Sequence, residues 1–152
     1  MQTFLPYPDF AATTAVLDHR RLGKQRVEAL QVARALTVPG YGWRHHPVVR
    51  MWTGHEEALA AYGVAICSEW CGRGFADTCR SKILLALGVD GPRGQEELAA
   101  SGRLPPWLGD EELHRSHRSS LLRKDPAWYG ARFPGERDDL PYVWPVGPAS
   151  PA

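Results

Sequence analysis

Few cysteines, no long apolar run and almost no net charge set the outer limits on this chain. Cys67, Cys71 and Cys79 fall within thirteen residues. An odd, crowded set makes a poor disulfide framework, so they read as reduced, buried thiols in a cytoplasmic protein. No segment approaches the ~20 consecutive apolar residues that a membrane span needs. The opening Met1-Gln2-Thr3-Phe4-Leu5-Pro6 has neither the basic start nor the apolar run of a secretion signal. A formal net charge of +1 means that any polyanion-binding surface is local rather than global. Internal repeats and convincing strand pairs are absent, and nothing suggests an obligate protein partner.

What is present points to helices joined by long irregular loops. With 152 residues the chain is one domain's worth and long enough to bury a core. The expectation is a single helical domain over residues 1–145 and a disordered tail over 146–152. Residues 1–11 read as an extended arm that carries Pro6 and Pro8. Thr13 or Thr14 is placed to cap a helix running to about Leu36, with Val16, Leu22, Val27, Leu30, Ala33 and Leu36 falling only roughly at three- and four-residue steps. Residues 39–53 read as a loop, followed by a possible capping box at Thr53 and Glu56. The next helix is expected to bury Leu59, Tyr62, Ile66 and Trp70 and to end near Gly74. Shorter helices are expected at Thr78–Leu87, which Gly88 stops, and at Gln95–Ala100. A last helix, capped by Asp110, should end at Asp125-Pro126.

Three polar constellations stand out. On the first long helix Arg20, Lys24 and Glu28 share a face at steps of four, with Arg21, Gln25 and Arg26 beside them. Such a face can hold phosphates through its cations while a carboxylate or amide acts locally, although charged helix faces are commonly just solvated. Trp43-Arg44-His45-His46-Pro47 concentrates aromatic, cationic and imidazole groups in one loop. No carboxylate or thiol stands at ligand spacing beside the two histidines, so phosphate contact is favoured over metal binding. The last helix carries His114, His117, Arg118, Arg123 and Lys124 among serines, which reads as a phosphate-facing surface. No metal or other cofactor is expected.

Taken in order, four segments resemble the pyrimidine-dimer DNA glycosylases of the phage endonuclease V type and their bacterial relatives. They are Leu17 to Gln31, Gly42-Trp43-Arg44-His45-His46-Pro47, Cys71-Gly72-Arg73-Gly74-Phe75 with Asp77-Thr78, and Lys124-Asp125-Pro126-Ala127-Trp128-Tyr129. The resemblance implies an all-α fold, a compact bundle of three main helices with long loops and short extra helices. It also implies a partner, damaged duplex DNA, that is kinked so that a nucleotide flips out. The nucleophile would be the N-terminal α-amine, attacking sugar C1′ to give an imine that undergoes β-elimination. An α-amine ordinarily titrates near pH 8, so a useful fraction is neutral at physiological pH.

Carried onto this sequence, the amine is that of Met1, because initiator methionine is normally retained before a residue as large as Gln2. The essential carboxylate falls on Glu28 by one alignment, whereas another sets Gln25 in its place. The DNA-holding groups are Arg20, Arg21, Lys24, Arg26, Arg44, His45, His46, His117, Arg118, Arg123 and Lys124. Two other functions remain open at this level. One is a non-catalytic nucleic-acid-binding module on the same fold, motivated by Gln25. The other is an enzyme of nucleotides or modified bases that uses His45, His46, His55, His114 and His117 for acid–base chemistry.

Overall fold

The computed structural model describes residues 1–146, and every regular element among them is a helix. In chain order these are α1 (Phe10–Val16), α2 (His19–Thr37), α3 (Pro47–Trp52), α4 (Glu56–Gly72), α5 (Cys79–Leu87), α6 (Gln95–Ala100), α7 (Glu111–Lys124) and α8 (Pro126–Tyr129). The all-α expectation holds. The expected tail lies, from residue 147 on, outside the described residues.

The single helix expected from Thr13 or Thr14 to Leu36 is two helices. Asp9 caps α1 by accepting from Ala11 N–H, and Asp18 caps α2 by accepting from Arg21 N–H. Leu17 and Asp18 between them are extended. Asp18 is held in that break by a group far along the chain. The Tyr129 hydroxyl donates to Asp18 Oδ1 at 2.5 Å and accepts from Asp18 N–H at 3.1 Å. The break falls between the apolar positions Val16 and Leu22, and local pattern alone does not reveal it.

Two further differences have similar local causes. The 39–53 loop contains α3, because His46 accepts from Val48 N–H and Pro47 occupies the first helical turn, where no N–H is needed. Thr53 therefore ends α3 instead of capping α4, which starts after His55 without a side-chain cap. Asp125-Pro126 does end α7, but Asp125 also accepts from Trp128 N–H and opens the short α8.

Helices α2, α4 and α5 pack on one another and carry half of the core. Their approach is close. A Cβ on Gly23 of α2 would lie 2.9 Å from the Trp70 ring, and one on Gly63 of α4 would lie 3.1 Å from Ile83. Cys67 and Cys79 are buried here as free thiols, whereas Cys71 is exposed.

The segment that fixes the site is the N-terminal arm. Gln2, Thr3, Phe4 and Leu5 are buried, although they belong to no helix or strand. A buried backbone without partners is costly, so side chains from the helices must satisfy it. Gln25 of α2 accepts from Phe4 N–H at 2.9 Å. Tyr62 of α4 donates to Phe4 C=O at 2.8 Å. His117 of α7 accepts from Leu5 N–H at 2.9 Å through Nδ1, and His114 Nδ1 lies 2.7 Å from Leu5 C=O. Arg118 donates to Pro6 C=O at 2.8 Å, and Trp52 of α3 donates to Thr3 Oγ1 at 3.0 Å. The first residues are thus bolted to four helices.

Candidate active site

Where the arm meets α2, a cleft of about 410 Å³ opens, lined by Met1, Gln2, Phe4, Arg20, Arg21, Lys24, Gln25, Glu28, Lys124 and Tyr142. Helical spacing explains the α2 contribution. Arg20, Lys24 and Glu28 follow one face, and Arg21 and Gln25 flank it. The last residue of α7 and Tyr142 of the C-terminal segment complete the wall.

Glu28 is the floor of this cleft, and it is buried. Gln25 Nε2 donates to its Oε2 at 2.6 Å, and Lys24 Nζ lies 3.8 Å from its Oε1. Burial pushes the Glu28 carboxyl above the usual glutamate range. Lys24, the Met1 ammonium, the Gln25 amide and the Gln2 backbone N–H pull it back only in part. The carboxyl and the chain-terminal amine are therefore electrostatic neighbours.

Gln25 has a different position in the network. Its Oε1 accepts from both Phe4 N–H and the Tyr62 hydroxyl, each at 2.9 Å, while its Nε2 is directed to Glu28. The amide therefore faces the protein on both sides: it holds the arm with one end and the carboxylate with the other.

The cations divide into two groups. Arg20, Lys24 and Lys124 are exposed on the cleft rim. Arg21 also lines it, but it is engaged with Asp18 at 3.3 Å and with Asp125 at 3.9 Å. Arg26 does not reach the cleft. It pairs with Asp77 at 2.7 Å, and its guanidinium lies 4.5 Å from the centroid of the Trp70 ring. That contact, with Asp77 capping the start of α5 through the Cys79 and Arg80 N–H groups, accounts for the Asp77-Thr78 segment as scaffolding. Arg73 likewise donates to Thr14 C=O at the end of α1 and pairs with Glu69.

The polar face of α7 is not the open phosphate-facing surface that its composition suggests. His114, Ser116, His117, Ser119 and Ser120 are all buried. Burial, with His114 nearby, drives the His117 imidazole down to about 3, so it is neutral and occupied with Leu5. Arg118 is tied to Glu136 and Glu111, and Arg123 donates to Asp138 C=O at 2.7 Å and Leu140 C=O at 3.0 Å. Ser116 and Ser119 accept from Val143 and Leu140 N–H. The physical reason is that α7 lies between two irregular segments, the arm and residues 138–143, whose backbones need side-chain partners. Of this group Lys124 alone lines the cleft.

The histidine-rich loop stands beside the site. Arg44 and His45 are exposed and bonded to each other, Nε to Nε2 at 3.1 Å. His46 caps α3, and burial together with the Met1 ammonium lowers its imidazole below the usual value. With His114 and His117 interior, the five histidines do not form one acid–base cluster. Gln2, Phe4 and Tyr142 were missed as lining residues. The apolar, proline-bearing start of the chain was the available signal for the first two, and Tyr142 lies too far along the chain for any local pattern. Among the described residues no group of histidine, cysteine or carboxylate side chains is arranged to hold a metal ion, and no helix is long and apolar enough to cross a membrane.

A family model described as pyrimidine dimer DNA glycosylase matches residues 1–83. This span includes the arm, all of α2, and α3 and α4. Neither curated proteins nor solved structures give a match.

Proposed function

The chain belongs to the pyrimidine dimer DNA glycosylase family, a family of DNA repair, and from that premise we propose that its cleft is the catalytic centre of a glycosylase with abasic-site lyase activity on damaged duplex DNA. The observation that carries this reading is that one cleft is lined by the chain-terminal residue Met1, the buried carboxyl of Glu28 and a rim of Arg20, Lys24 and Lys124.

In this reading the rim cations, with Arg21, hold backbone phosphates on either side of the reacting nucleotide. The neutral Met1 amine attacks C1′, forming an N–C1′ bond. The C1′–base bond breaks, and its electron pair leaves with the base, which takes up a proton. The attached nitrogen then loses a proton, ring oxygen O4′ accepts one, and the C1′–O4′ bond breaks, opening the ring to a protonated imine. Removal of a proton from C2′ drives β-elimination, in which the C3′–O bond breaks and the phosphate leaves with that electron pair. Glu28 is the group that moves protons at O4′ and C2′. Its upward-shifted carboxyl suits it to both accept and return a proton nearer neutrality than an exposed glutamate does. Gln25 is a positioning residue that aligns Glu28 and the arm.

The test uses the full chain, with Met1 first verified as the terminal residue by intact mass. It is incubated with dimer-containing duplex, abasic duplex and undamaged duplex, followed by borohydride. Strand cleavage of the damaged duplexes and a reduced adduct mapping to the Met1 nitrogen are expected. Absence of both cleavage and adduct overturns the proposal. An adduct on a lysine instead would reject the amine assignment while leaving the lyase.

A further inference from the structure

The chain has four glutamines and no asparagine, and two of the four use both ends of the carboxamide inside the protein. Gln25 is satisfied by Phe4, Tyr62 and Glu28. Gln95 accepts from Phe10 N–H at 2.7 Å and donates to Pro8 C=O at 2.8 Å. Gln2 differs. Its Oε1 accepts from Thr3 N–H at 3.0 Å, which fixes the oxygen end of the group. Its Nε2 is buried and has no hydrogen-bond partner among the described residues. A donor left unpaired away from water is costly, and native folds keep few of them.

The place of this amide is specific. Gln2 lines the cleft, follows Met1 directly and is only 4% exposed. Its backbone N–H is bonded to the Glu28 carboxyl. The spare donor therefore belongs to the same corner as the amine and the carboxyl. Exposed Arg20, Lys24 and Lys124 on the rim suit phosphates, whereas a buried, uncharged amide suits an uncharged acceptor. A target pyrimidine has two such acceptors close to C1′. One is O4′, which falls to Glu28 in the proposed mechanism. The other is the carbonyl oxygen O2, joined to C1′ through N1 and C2. A pyrimidine that stays in the stack still shows O2 in the minor groove, so the contact requires no extrusion of the target.

We propose that Gln2 is a catalytic residue of base release, its Nε2–H donating to O2 of the target pyrimidine while the C1′–N1 bond breaks. This rests on the reading of the cleft as a glycosylase centre. As the Met1 nitrogen bonds to C1′, the electron pair of the C1′–N1 bond passes to N1 and is shared through C2 with O2. The amide meets the charge that develops there and keeps its own proton, and water supplies the proton that the departing base takes up. An abasic site has no O2, so Gln2 serves base loss and not the later strand cleavage.

The full chain is compared with Gln2→Met, which has similar bulk, no donor and a second residue large enough to keep Met1. Under single turnover, the adduct trapped by borohydride is followed on dimer-containing duplex, where it forms only with base loss, and on abasic duplex. The Gln2→Met rate should fall at least about tenfold further on the dimer than on the abasic site, the low end for a hydrogen bond to a charged group. A loss no greater on the dimer than on the abasic site overturns the proposal, because a merely structural role in the arm slows both. The second measurement uses the wild-type chain and needs no catalysis. With four glutamines and no asparagine, the side-chain amide spectrum is sparse, and the Gln2 pair is assigned through its backbone. A duplex whose dimer carries 2′-fluoro sugars, which resist base loss, should move one Gln2 amide proton downfield, and a duplex with an abasic analogue should not. No shift with the dimer, or equal shifts with both, removes the proposal. If the wild type traps no adduct on either substrate but shows the dimer-specific shift, the glycosylase–lyase reading fails while the contact with O2 stands.

Discussion

Gln25 and Glu28 form one hydrogen-bonded unit, with Gln25 Nε2 2.6 Å from Glu28 Oε2 and Gln25 Oε1 committed to Phe4 N–H and Tyr62. One turn of α2 thus links the buried arm to the buried carboxyl. The two residues that compete for the carboxylate position in the sequence are partners with different tasks in the proposed mechanism.

That division predicts different phenotypes. Glu28→Gln should lower cleavage by at least about a hundredfold while duplex affinity stays within severalfold. Gln25→Ala should reduce cleavage less but lower the melting temperature, because Phe4 N–H and Tyr62 lose their acceptor. Single-turnover rates and thermal melts measure both. Unchanged cleavage by Glu28→Gln would remove Glu28 from the mechanism.

The displaced Glu28 carboxyl also predicts a pH signature. Its folded-state value lies above the ordinary glutamate value of 4.5, so the folded chain binds that proton more tightly than the unfolded chain. The resulting stabilisation is complete below 4.5 and is lost as pH rises through the folded value. Glu28→Gln lacks this slope. The melting temperature of the variant relative to wild type should therefore climb with pH across that window. A pH-independent difference would contradict the burial argument.

His117 works in the opposite direction. Its imidazole is held neutral, down to about 3 against an ordinary value of 6.5. Its contribution is fully present above 6.5 and is lost as pH falls through that interval toward 3. His117→Asn retains an acceptor for Leu5 N–H but cannot take up a proton. It should cost about 2 kcal/mol at neutral pH through lost packing and flatten the acid limb of the stability profile. Urea titrations at several pH values would measure this, and an unchanged acid limb would show that other groups control it.

The cations should separate in salt titrations. Arg20→Ala, Lys24→Ala and Lys124→Ala should each weaken duplex binding and reduce the slope of log affinity against log salt by about one. Arg26→Ala and Arg118→Ala should leave that slope unchanged and lower stability instead, by about 2 kcal/mol for Arg26, which leaves the largely buried Asp77 without its partner. Equal slopes for all five variants would contradict the rim assignment.

The sequence by itself determined the helical class, most helix ends and the α2 face that carries Arg20, Lys24 and Glu28. These depend on short-range physics: spacing at three and four residues, capping by Asp110, the stop at Gly88 and the bar to helix before Pro126. Only the tertiary structure decided which polar residues face inward. His114, His117, Arg118 and Arg123 have the composition of a DNA-binding surface, yet they serve the buried backbone of the arm and the irregular backbone of residues 138–140. The break at Asp18 depends on Tyr129, and the separate tasks of Gln25 and Glu28 depend on where Phe4 and Tyr62 lie. A buried backbone group must find a partner wherever the fold brings one, and that choice is made across distances in sequence that no local pattern reports.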